Sequence, residues 1–269
     1  MRKSILAVFL LVSVSLLVSC MPAAAQDDDH KPTLLVDDDT VQCPSATFTS
    51  IQAAIYAASP GSVIRVCPGT YPEQLSINMS LSIEGDNGAI VLPPNMMANT
   101  TGFSGDLIAA AILVKDAENV EIKGLIVDTA NNGITQCSPK LIGILFQNSS
   151  GSIRHNAVRN TKLPVQPNGC QSGDAILVQS LAGGTSKVSI DDNSVHDYQK
   201  NGITGNELGT EVTITNNVVT GLGPTTGAAK TAFKSGSERL AASCGMPSPT
   251  TCGLPAFLSI TACLTPPAY

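Results

Sequence analysis

A short hydrophobic motif recurs along the chain. Three copies share an isoleucine, an asparagine three residues later and a valine two residues after that: Ile153–Val158, Ile190–Val195 and Ile214–Val219. A weaker copy is Ile122–Val127. A second apolar stretch precedes each copy: Ile112–Val114, Ile144–Phe146, Ile176–Val178 and Gly202–Thr204. One copy cannot bury its apolar face alone, whereas copies stacked at about 4.8 Å per turn do so. The repeat therefore favours a coil of short parallel strands over a sandwich.

The asparagine of each copy predicts how the turns of the coil are held. Asn tolerates left-handed backbone, and stacked Asn156, Asn193 and Asn217 can form a ladder of side-chain amides that satisfies buried polar groups. The alternative is that asparagine is simply common in turns. The fixed offset in three copies favours the ladder.

The first part of the chain reads as a helix followed by strands and a turn. Phe48–Ile55 is amphipathic, with Thr49 or Ser50 able to cap it, and Ser59–Gly61 ends it. The segments that follow are a strand at Val63–Val66, a turn at Pro68–Tyr71, and strands at Leu75–Ile77 and Leu81–Ile83. We expect the helix to cover the apolar end and the unpaired edges of the first coil.

The stretch from Phe48 to Glu73, followed by Leu81–Gly85, resembles the opening of pectin lyase-like β-helix proteins, among them pectin methylesterases and uncharacterised parallel β-helix repeat proteins. The resemblance covers residues 34–222. It implies an all-β fold, a single-stranded right-handed parallel β-helix with a short N-terminal capping α-helix. It leaves the activity open, because such folds serve lyases, hydrolases, esterases and binding proteins.

The N-terminus predicts export. Arg2 and Lys3 precede an apolar run over residues 5–18, which is shorter than the roughly 20 residues of a membrane span. Pro22–Ala25 offers a small-residue cleavage site. We expect a signal peptide at 1–25, a disordered acidic linker at 26–33 and a β-helix domain at 34–230, in a secreted, periplasmic or cell-surface protein. The alternative is a bacterial lipobox ending at Cys20, whose lipid would be the expected membrane attachment.

The cysteines fit an exported protein, in which disulfides persist. Cys43 and Cys67 lie in the N-terminal segment and can pair with each other. Cys137 and Cys170 lie in equivalent loops one coil apart and can also pair, although spacing alone does not fix connectivity. The sequence holds no C-x-x-C pattern or Cys/His cluster of the kind that binds zinc.

The repeat pattern ends after Lys230. Residues 231–269 contain three cysteines and several prolines without alternation, so we expect an irregular tail. One hypothesis is a shifted reading frame, because a one-base shift across Thr231–Arg239 permits a string that copies Asn201–Ile203 one coil later. It would leave a truncated β-helix with an uncapped end. The alternative is a genuine flexible tail, and stop codons in the other frame of the gene would contradict the shift.

Charge and motifs argue against several functions. The net charge of -6 argues against nucleic acid, which needs a basic surface. The Asp pair with supporting Gln and Arg of pectin methylesterases has no match in the sequence. Gly-His-Gly of polygalacturonases is also absent, and Asp191–Asp192 matches them only superficially. The acidic runs Asp27–Asp29 and Asp37–Asp39 lack the glycine-containing spacing of a calcium loop, so no cofactor is expected and calcium has no supporting motif.

Stacking brings charged residues of successive copies together. One column follows the last valine of the motif: Asp128, Arg159 and His196, with Asn160 and Asp197 one position later. A second column lies inside the motif: Lys123, Arg154 and Asp191, with His155 and Asp192 beside it. Such clusters suit acid–base catalysis or the binding of an acidic sugar. The favoured alternative is a set of solvated turn residues with weak ion pairs.

A polar column after the first strand of each copy is formed by Lys115, Gln147, Gln179 and Asn206. It predicts either an amide ladder or part of a ligand groove, and we favour the ladder.

These features favour a monomeric, non-catalytic β-helix protein that binds or structures extracellular polysaccharide. The missing motifs and the scarcity of aromatic platforms, with no Trp and four Tyr, support this interpretation. The alternative is a carbohydrate-active enzyme of the polysaccharide lyase, glycoside hydrolase or pectin esterase type that acts on acidic polysaccharide.

Overall fold

The computed structural model describes residues 31–165, 167, 169–221, 231–235, 240–242 and 262–263. The expected signal peptide, the lipobox at Cys20 and most of the tail lie outside these residues. Among the described residues, no helix is long and apolar enough to cross a membrane.

The first half of the chain contains one helix and ten strands: β1 Thr33–Val36, α1 Ile51–Ala57, β2 Ser62–Val66, β3 Gly69–Tyr71, β4 Leu75–Ile77, β5 Leu81–Gly85, β6 Ala89–Val91, β7 Thr100–Thr101, β8 Leu107–Lys115, β9 Val120–Lys123 and β10 Ile126–Asp128. The second half contains strands: β11 Lys140–Gln147, β12 Ser150–Arg154, β13 Ala157–Arg159, β14 Asp174–Gln179, β15 Ser186–Asp191, β16 Ser194–His196, β17 Asn201–Asn206, β18 Thr210–Thr215, β19 Asn217–Thr220, β20 Thr231–Ser235, β21 Leu240–Ala242 and β22 Ala262–Cys263.

The strands stack into three sheets, which we name A, B and C. Sheet A has the order β1-β2-β5-β9-β12-β15-β18-β21, sheet B the order β3-β6-β10-β13-β16-β19-β22, and sheet C the order β4-β8-β11-β14-β17-β20. The chain visits sheets C, A and B in turn and then repeats one level further on, so β11, β12 and β13 form one coil. All described strand pairs are parallel except β7 with β8. The fold is a right-handed parallel β-helix, as the sequence predicts.

The repeated motif supplies the core. Its isoleucines lie side by side in sheet A, where Ile153 pairs with Ile122 and Ile190, and Ile190 pairs with Ile214. Its valines form the matching row in sheet B. All of these side chains are buried. The spacing of the motif along the chain therefore sets the level at which each coil stacks.

The asparagine ladder is confirmed. Asn156 Nδ2 donates to Asn193 Oδ1 at 3.0 Å, and Asn193 Nδ2 donates to Asn217 Oδ1 at 2.8 Å. The same amides also donate to the carbonyls of the neighbouring isoleucines, for example Asn193 Nδ2 to Ile153 O at 2.9 Å. The three side chains are buried. Each coil thus satisfies the polar groups of the next one.

The capping helix is present but starts later than expected, at Ile51 and not at Phe48. Phe48 instead forms a parallel bridge with Val36. Ser50 is the N-cap, and its Oγ accepts from Ala53 N at 3.1 Å. The helix also closes a strand edge, because the Gln52 amide accepts from the N–H of Ser76 at 2.7 Å and donates to its carbonyl at 3.2 Å.

The turn predicted at Pro68–Tyr71 is wrong for its last three residues, which form β3. The Tyr71 ring is fully buried, and its hydroxyl donates to Cys67 O at 2.9 Å. Gly69, Thr70 and Tyr71 pair with β6. Burial of the aromatic ring in the core therefore outweighs the turn tendency of the Pro-Gly pair.

Strand pairing continues beyond the expected domain boundary at residue 230. In β20, Thr231 lies opposite Asn201 and Phe233 opposite Ile203. Phe233 is partly buried and packs against the core. β21 and β22 extend sheets A and B in the same way. The described parts of the supposed tail therefore add strands to all three sheets: β20 and β21 near its start and β22 near its end. The frameshift remains a hypothesis about the gene.

Both predicted disulfides are formed. Cys43 and Cys67 are linked with a Cα–Cα distance of 6.4 Å, and Cys137 and Cys170 with 5.5 Å. The second disulfide joins two loops that lead from sheet B to sheet C.

We expect Asn193→Ala to lower the free energy of unfolding by about 3 kcal/mol, because it leaves buried partners of the ladder unpaired. Urea denaturation measures the change. Ser189→Ala is the matched control, since Ser189 lies in the same coil but is exposed, and should change stability by less than about 0.5 kcal/mol. Equal small effects of the two changes would contradict a stabilising ladder.

Candidate functional site

The outer face of sheet C changes from apolar to polar along the stack. One outward row contains Ala110, Ile142, Asp174 and Asn201, and the next contains Leu113, Leu145, Leu177 and Thr204. The apolar members form a buried cluster outside the main core. The face is therefore amphipathic, with its boundary between β11 and β17.

A cleft of about 200 Å³ lies at this boundary. Ile108, Ile142 and Leu177 form its apolar part. The polar part comes from β14 and β17 and includes Asp174, Gln179, Asn201, Thr204 and Asn206. An apolar surface with a few convergent polar groups is typical of small-ligand sites.

Three buried polar atoms in this cleft have no hydrogen-bond partner among the described residues: Gln179 Oε1, Asn201 Oδ1 and Thr204 Oγ1. Their residues are 7%, 3% and 3% exposed. The Asn201 amide is oriented by its Nδ2, which donates to Asp174 Oδ1, and its oxygen is the atom left without a partner among the described residues. An unpaired buried polar atom costs about 1–3 kcal/mol. The cleft is therefore suited to a ligand that donates hydrogen bonds.

Charged groups at the cleft balance one another in number. Lys140 Nζ lies 2.6 Å from Asp106 Oδ2 across one side. Asp174 and Lys200 complete the charged lining. Two lysines and two aspartates give no net charge, so the cleft does not by itself select an anion or a cation.

A hairpin forms one wall of the cleft. Thr100 Oγ1 donates to Gln147 Oε1 at 2.7 Å, and Gln147 Nε2 donates to Thr101 O at 2.8 Å. The Gln147 amide therefore binds the hairpin and not Gln179, although both residues lie in register. The amide ladder predicted for this column is wrong, and its alternative, a ligand groove, agrees with Gln179 and Asn206 lining the cleft.

Gly102 of this hairpin keeps the cleft open. A Cβ atom at this position would lie 3.3 Å from Ile108 Cδ1 and 3.6 Å from Gln179 Oε1. A larger side chain would therefore fill the space above the unpaired glutamine oxygen. No sequence pattern predicts this wall, because the hairpin interrupts the repeat.

The first charged column is assembled as predicted, with Arg159 between Asp128 and His196 in sheet B. Arg159 Nε donates to Asp128 Oδ2 at 2.7 Å, and Asn160 Nδ2 donates to Asp128 Oδ1 at 2.9 Å. Burial acts to raise the pKa of Asp128, but hydrogen bonds from Asn160, the Ala130 amide and Arg159 outweigh it and hold this pKa below the ordinary 3.8. These residues do not line the cleft.

His196 and Asp197 form a pair at the end of the same column. His196 Nδ1 lies 2.7 Å from Asp197 Oδ2, and Lys162 Nζ lies 3.6 Å from Asp197 Oδ1. The hydrogen bond from His196 is the largest cause that lowers the pKa of Asp197. Lys162 and Asn160 also border a shallow groove of about 370 Å³.

The second charged column also stacks as predicted, with Arg154 between Lys123 and Asp191 in sheet A. Arg154 forms an ion pair with Glu121. His155 Nδ1 lies 2.8 Å from Asp192 Oδ2, and both side chains are about half exposed or more. Arg154 and His155 are thus already paired with neighbouring carboxylates. A role of either column in catalysis or binding stays a prediction.

The acidic run Asp37–Asp39 brings three carboxylates together, with one oxygen of each within 4.8 Å of the other two. Each accepts a backbone hydrogen bond: from Cys43 at 2.6 Å, Thr70 at 2.8 Å and Val41 at 2.9 Å. These bonds give the run a structural role in the first loop, and Asp38 closes the edge of β3.

No protein-family model and no curated protein matches the sequence. Among solved structures, the chain is similar to a GH136 lacto-N-biosidase from Eubacterium ramulus, with a TM-score of 0.51, 14% identity and coverage of 69% of this chain and 41% of the other. A pectin methylesterase from Yersinia enterocolitica gives a TM-score of 0.43, 17% identity, and coverage of 65% and 55%. A pectin methylesterase from Aspergillus niger gives a TM-score of 0.36 and 12% identity, with coverage of 77% of this chain and 85% of the other.

The chain spans about half the length of the first two of these proteins. Identities this low carry the fold alone. The likeness to the GH136 protein agrees with the parallel sheets, so the chain has the parallel β-helix fold.

We expect Asp128→Asn to lower stability by about 2 kcal/mol at pH 7, because it removes the charge that Arg159 and Asn160 stabilise. The folded-state pKa of Asp128 is depressed, so its contribution is present above the unfolded value near 3.8 and is lost as the pH falls below it. The difference in the free energy of unfolding between wild type and variant, measured by urea denaturation, should therefore be smaller at pH 3 than at pH 7.

The matched control is Asp86→Asn, which breaks the exposed pair of Asp86 with Arg65. Its effect should stay below about 0.5 kcal/mol at both pH values. A gap for Asp128→Asn that is independent of pH would contradict the charge argument.

Proposed function

We propose that this protein binds carbohydrate in the cleft outside sheet C and acts as an exported, non-catalytic β-helix protein on extracellular polysaccharide. The observation that carries the proposal is the set of unpaired oxygens of Gln179, Asn201 and Thr204 beside an apolar floor. Sugars present hydroxyl donors on their edges and C–H groups on their faces. They therefore match both halves of the cleft.

The balanced charge of the cleft supports a ligand whose recognition rests on hydrogen bonds. Asp106 and Lys140 already neutralise each other. The two amide oxygens and the threonine hydroxyl then offer acceptors to the hydroxyl groups of a sugar ring. Leaving a buried acceptor unpaired is costly, so a sugar with a missing or inverted hydroxyl should bind more weakly.

The two disulfides support a place outside the cytoplasm, because such bonds persist in oxidising compartments. This agrees with the signal peptide expected at residues 1–25. Secretion, or a lipid anchor on Cys20, remains part of the proposal.

An enzyme is the second candidate, and Asp174 is the residue that favours it. This residue is 8% exposed and lines the cleft, and its carboxylate accepts a hydrogen bond from Asn201. A positioned carboxylate beside a sugar is the basic requirement for acid–base catalysis. Similar folds include a pectin methylesterase solved in complex with a hexasaccharide, a ligand that belongs to that protein. We rank binding first because the sequence lacks the known motifs of such enzymes.

We expect Thr204→Val to change binding and stability in opposite directions. The variant removes a buried hydroxyl that has no described partner, so the free protein should gain up to about 1 kcal/mol in urea denaturation. Binding to an array of plant and microbial oligosaccharides, followed by calorimetry, should weaken about tenfold.

Thr213→Val is the matched control, since Thr213 is exposed on sheet A and should alter neither quantity. Unchanged sugar binding by Thr204→Val, or no binding of any sugar by the wild type, would overturn the proposed site.

We expect the purified protein to release no product from pectins and other uronates, with or without calcium. The readouts are unsaturated sugars by absorbance, new reducing ends and methanol. Turnover abolished by Asp174→Asn would instead establish an enzyme in the cleft. Turnover abolished by Arg159→Ala or His196→Ala would move the active site to the first charged column.

A further inference from the structure

The outer face of sheet C is covered over its first coils. The segment 97–106, which we call the roof, runs along this face before β8. The outward side chains of β8 and β11 beneath it, including Ala110, Ile142 and Leu145, are fully buried. A long groove across the stacked strands is therefore blocked on this side.

Side-chain amides hold the roof in place. The Asn99 amide accepts from Ala110 N at 3.0 Å and donates to Ala110 O at 2.9 Å. The Gln74 amide accepts from Met97 N at 2.8 Å and donates to Met97 O at 3.0 Å. Both amides mimic strand pairing and fix the backbone of the roof.

The far end of the roof is tied to β11 as well. Asp106 pairs with Lys140, and Thr100 and Thr101 hold the Gln147 side chain. Thr100 is 8% exposed. The wall of the cleft is thus attached at several points along its length, so the cleft ends at this wall.

The size of the cleft sets how much sugar it can hold. Its 200 Å³ is below the roughly 300–1,000 Å³ of sites for drug-sized ligands. The unpaired oxygens all lie on β14 and β17, two strands about 4.8 Å apart. The recognition surface therefore fits about one sugar ring.

Building on the proposed function, we infer that the cleft binds the terminal residue of a glycan chain and not an internal stretch of a polymer. The wall formed by the roof stops the chain on one side, where a Cβ atom at Gly102 would lie 3.6 Å from the unpaired Gln179 Oε1, and Asn201 and Thr204 lie on the neighbouring strand β17. A terminal ring can enter with its face on Leu177 and its hydroxyls toward Asn201 and Thr204. An internal ring would need space for its neighbours on both sides.

Chain length tests this inference. We would measure calorimetric affinities for galacturonic acid, digalacturonic acid and hexagalacturonic acid, and for glucose, cellobiose and cellohexaose as a neutral series. In the series that binds, we expect the affinities for the dimer and the hexamer to differ by less than about threefold. Long polymer should bind more weakly than hexamer at equal residue concentration, because it offers fewer ends. Thr204→Val should weaken every member of the series.

The outcomes separate the two proposals. Recognition of chain ends would be overturned if the affinity rose about tenfold or more from dimer to hexamer. It would also be overturned if polymer bound as tightly as hexamer at equal residue concentration. Either result would leave carbohydrate binding intact. If neither series binds, but the array of the previous subsection finds another sugar, the same length series is made from that sugar. If no sugar binds at all, both proposals fail together.

Discussion

Parallel stacking in register is the constraint on which the rest of this structure depends. Because each coil lies about 4.8 Å from the next, a side chain always faces its equivalents one level up and one level down. An apolar position then extends into a continuous core, as the isoleucines of sheet A show. A buried polar position then needs a partner in its own row or in a neighbouring segment. Asn193, bonded to Asn156 and Asn217, meets that condition with a single amide.

Some buried polar atoms of the cleft lack a hydrogen-bond partner among the described residues. In the first charged column, each polar group meets a partner in its row or beside it, such as Asp128 with Arg159. On the outer face of sheet C, the rows change from Ile142 to Asp174 and from Leu177 to Thr204. The apolar members of these rows offer no partner to the polar atoms there. Three of these atoms have none among the described residues, which is the basis of the proposed binding site.

Much of the fold follows from local sequence patterns. The phase of the motif predicts the rows of sheets A and B, and the fixed asparagine predicts the ladder. Cysteines in equivalent loops predict the disulfide between Cys137 and Cys170. These predictions are correct because the position of a residue within the repeat determines which residues lie beside it in the neighbouring coils. β3 is missed because the burial of Tyr71 depends on contacts distant in sequence, with Val36 among them.

The site was harder to predict, and for a physical reason. Its residues lie on the outer face of sheet C, where Asn201 and Thr204 resemble ordinary surface positions and only Gln179 and Asn206 stand out as a polar column. The wall beside Gln179 belongs to an insertion between β6 and β8, which the repeat does not predict. The charged columns drew attention because charge is visible in a sequence, whereas an absent hydrogen-bond partner is not. Only the three-dimensional arrangement shows that the Asn201 amide bonds to Asp174 and leaves its oxygen without a partner among the described residues.

The two kinds of site differ in what they contribute to the stability of the unbound protein. The half-exposed pair His155–Asp192 adds little stability. Unpaired buried oxygens destabilise the free protein, and the benefit that would offset this cost lies in the proposed binding. Binding supplies that benefit when a ligand satisfies the oxygens of Gln179, Asn201 and Thr204 together. Such a site gains specificity from the same groups that weaken the unbound fold.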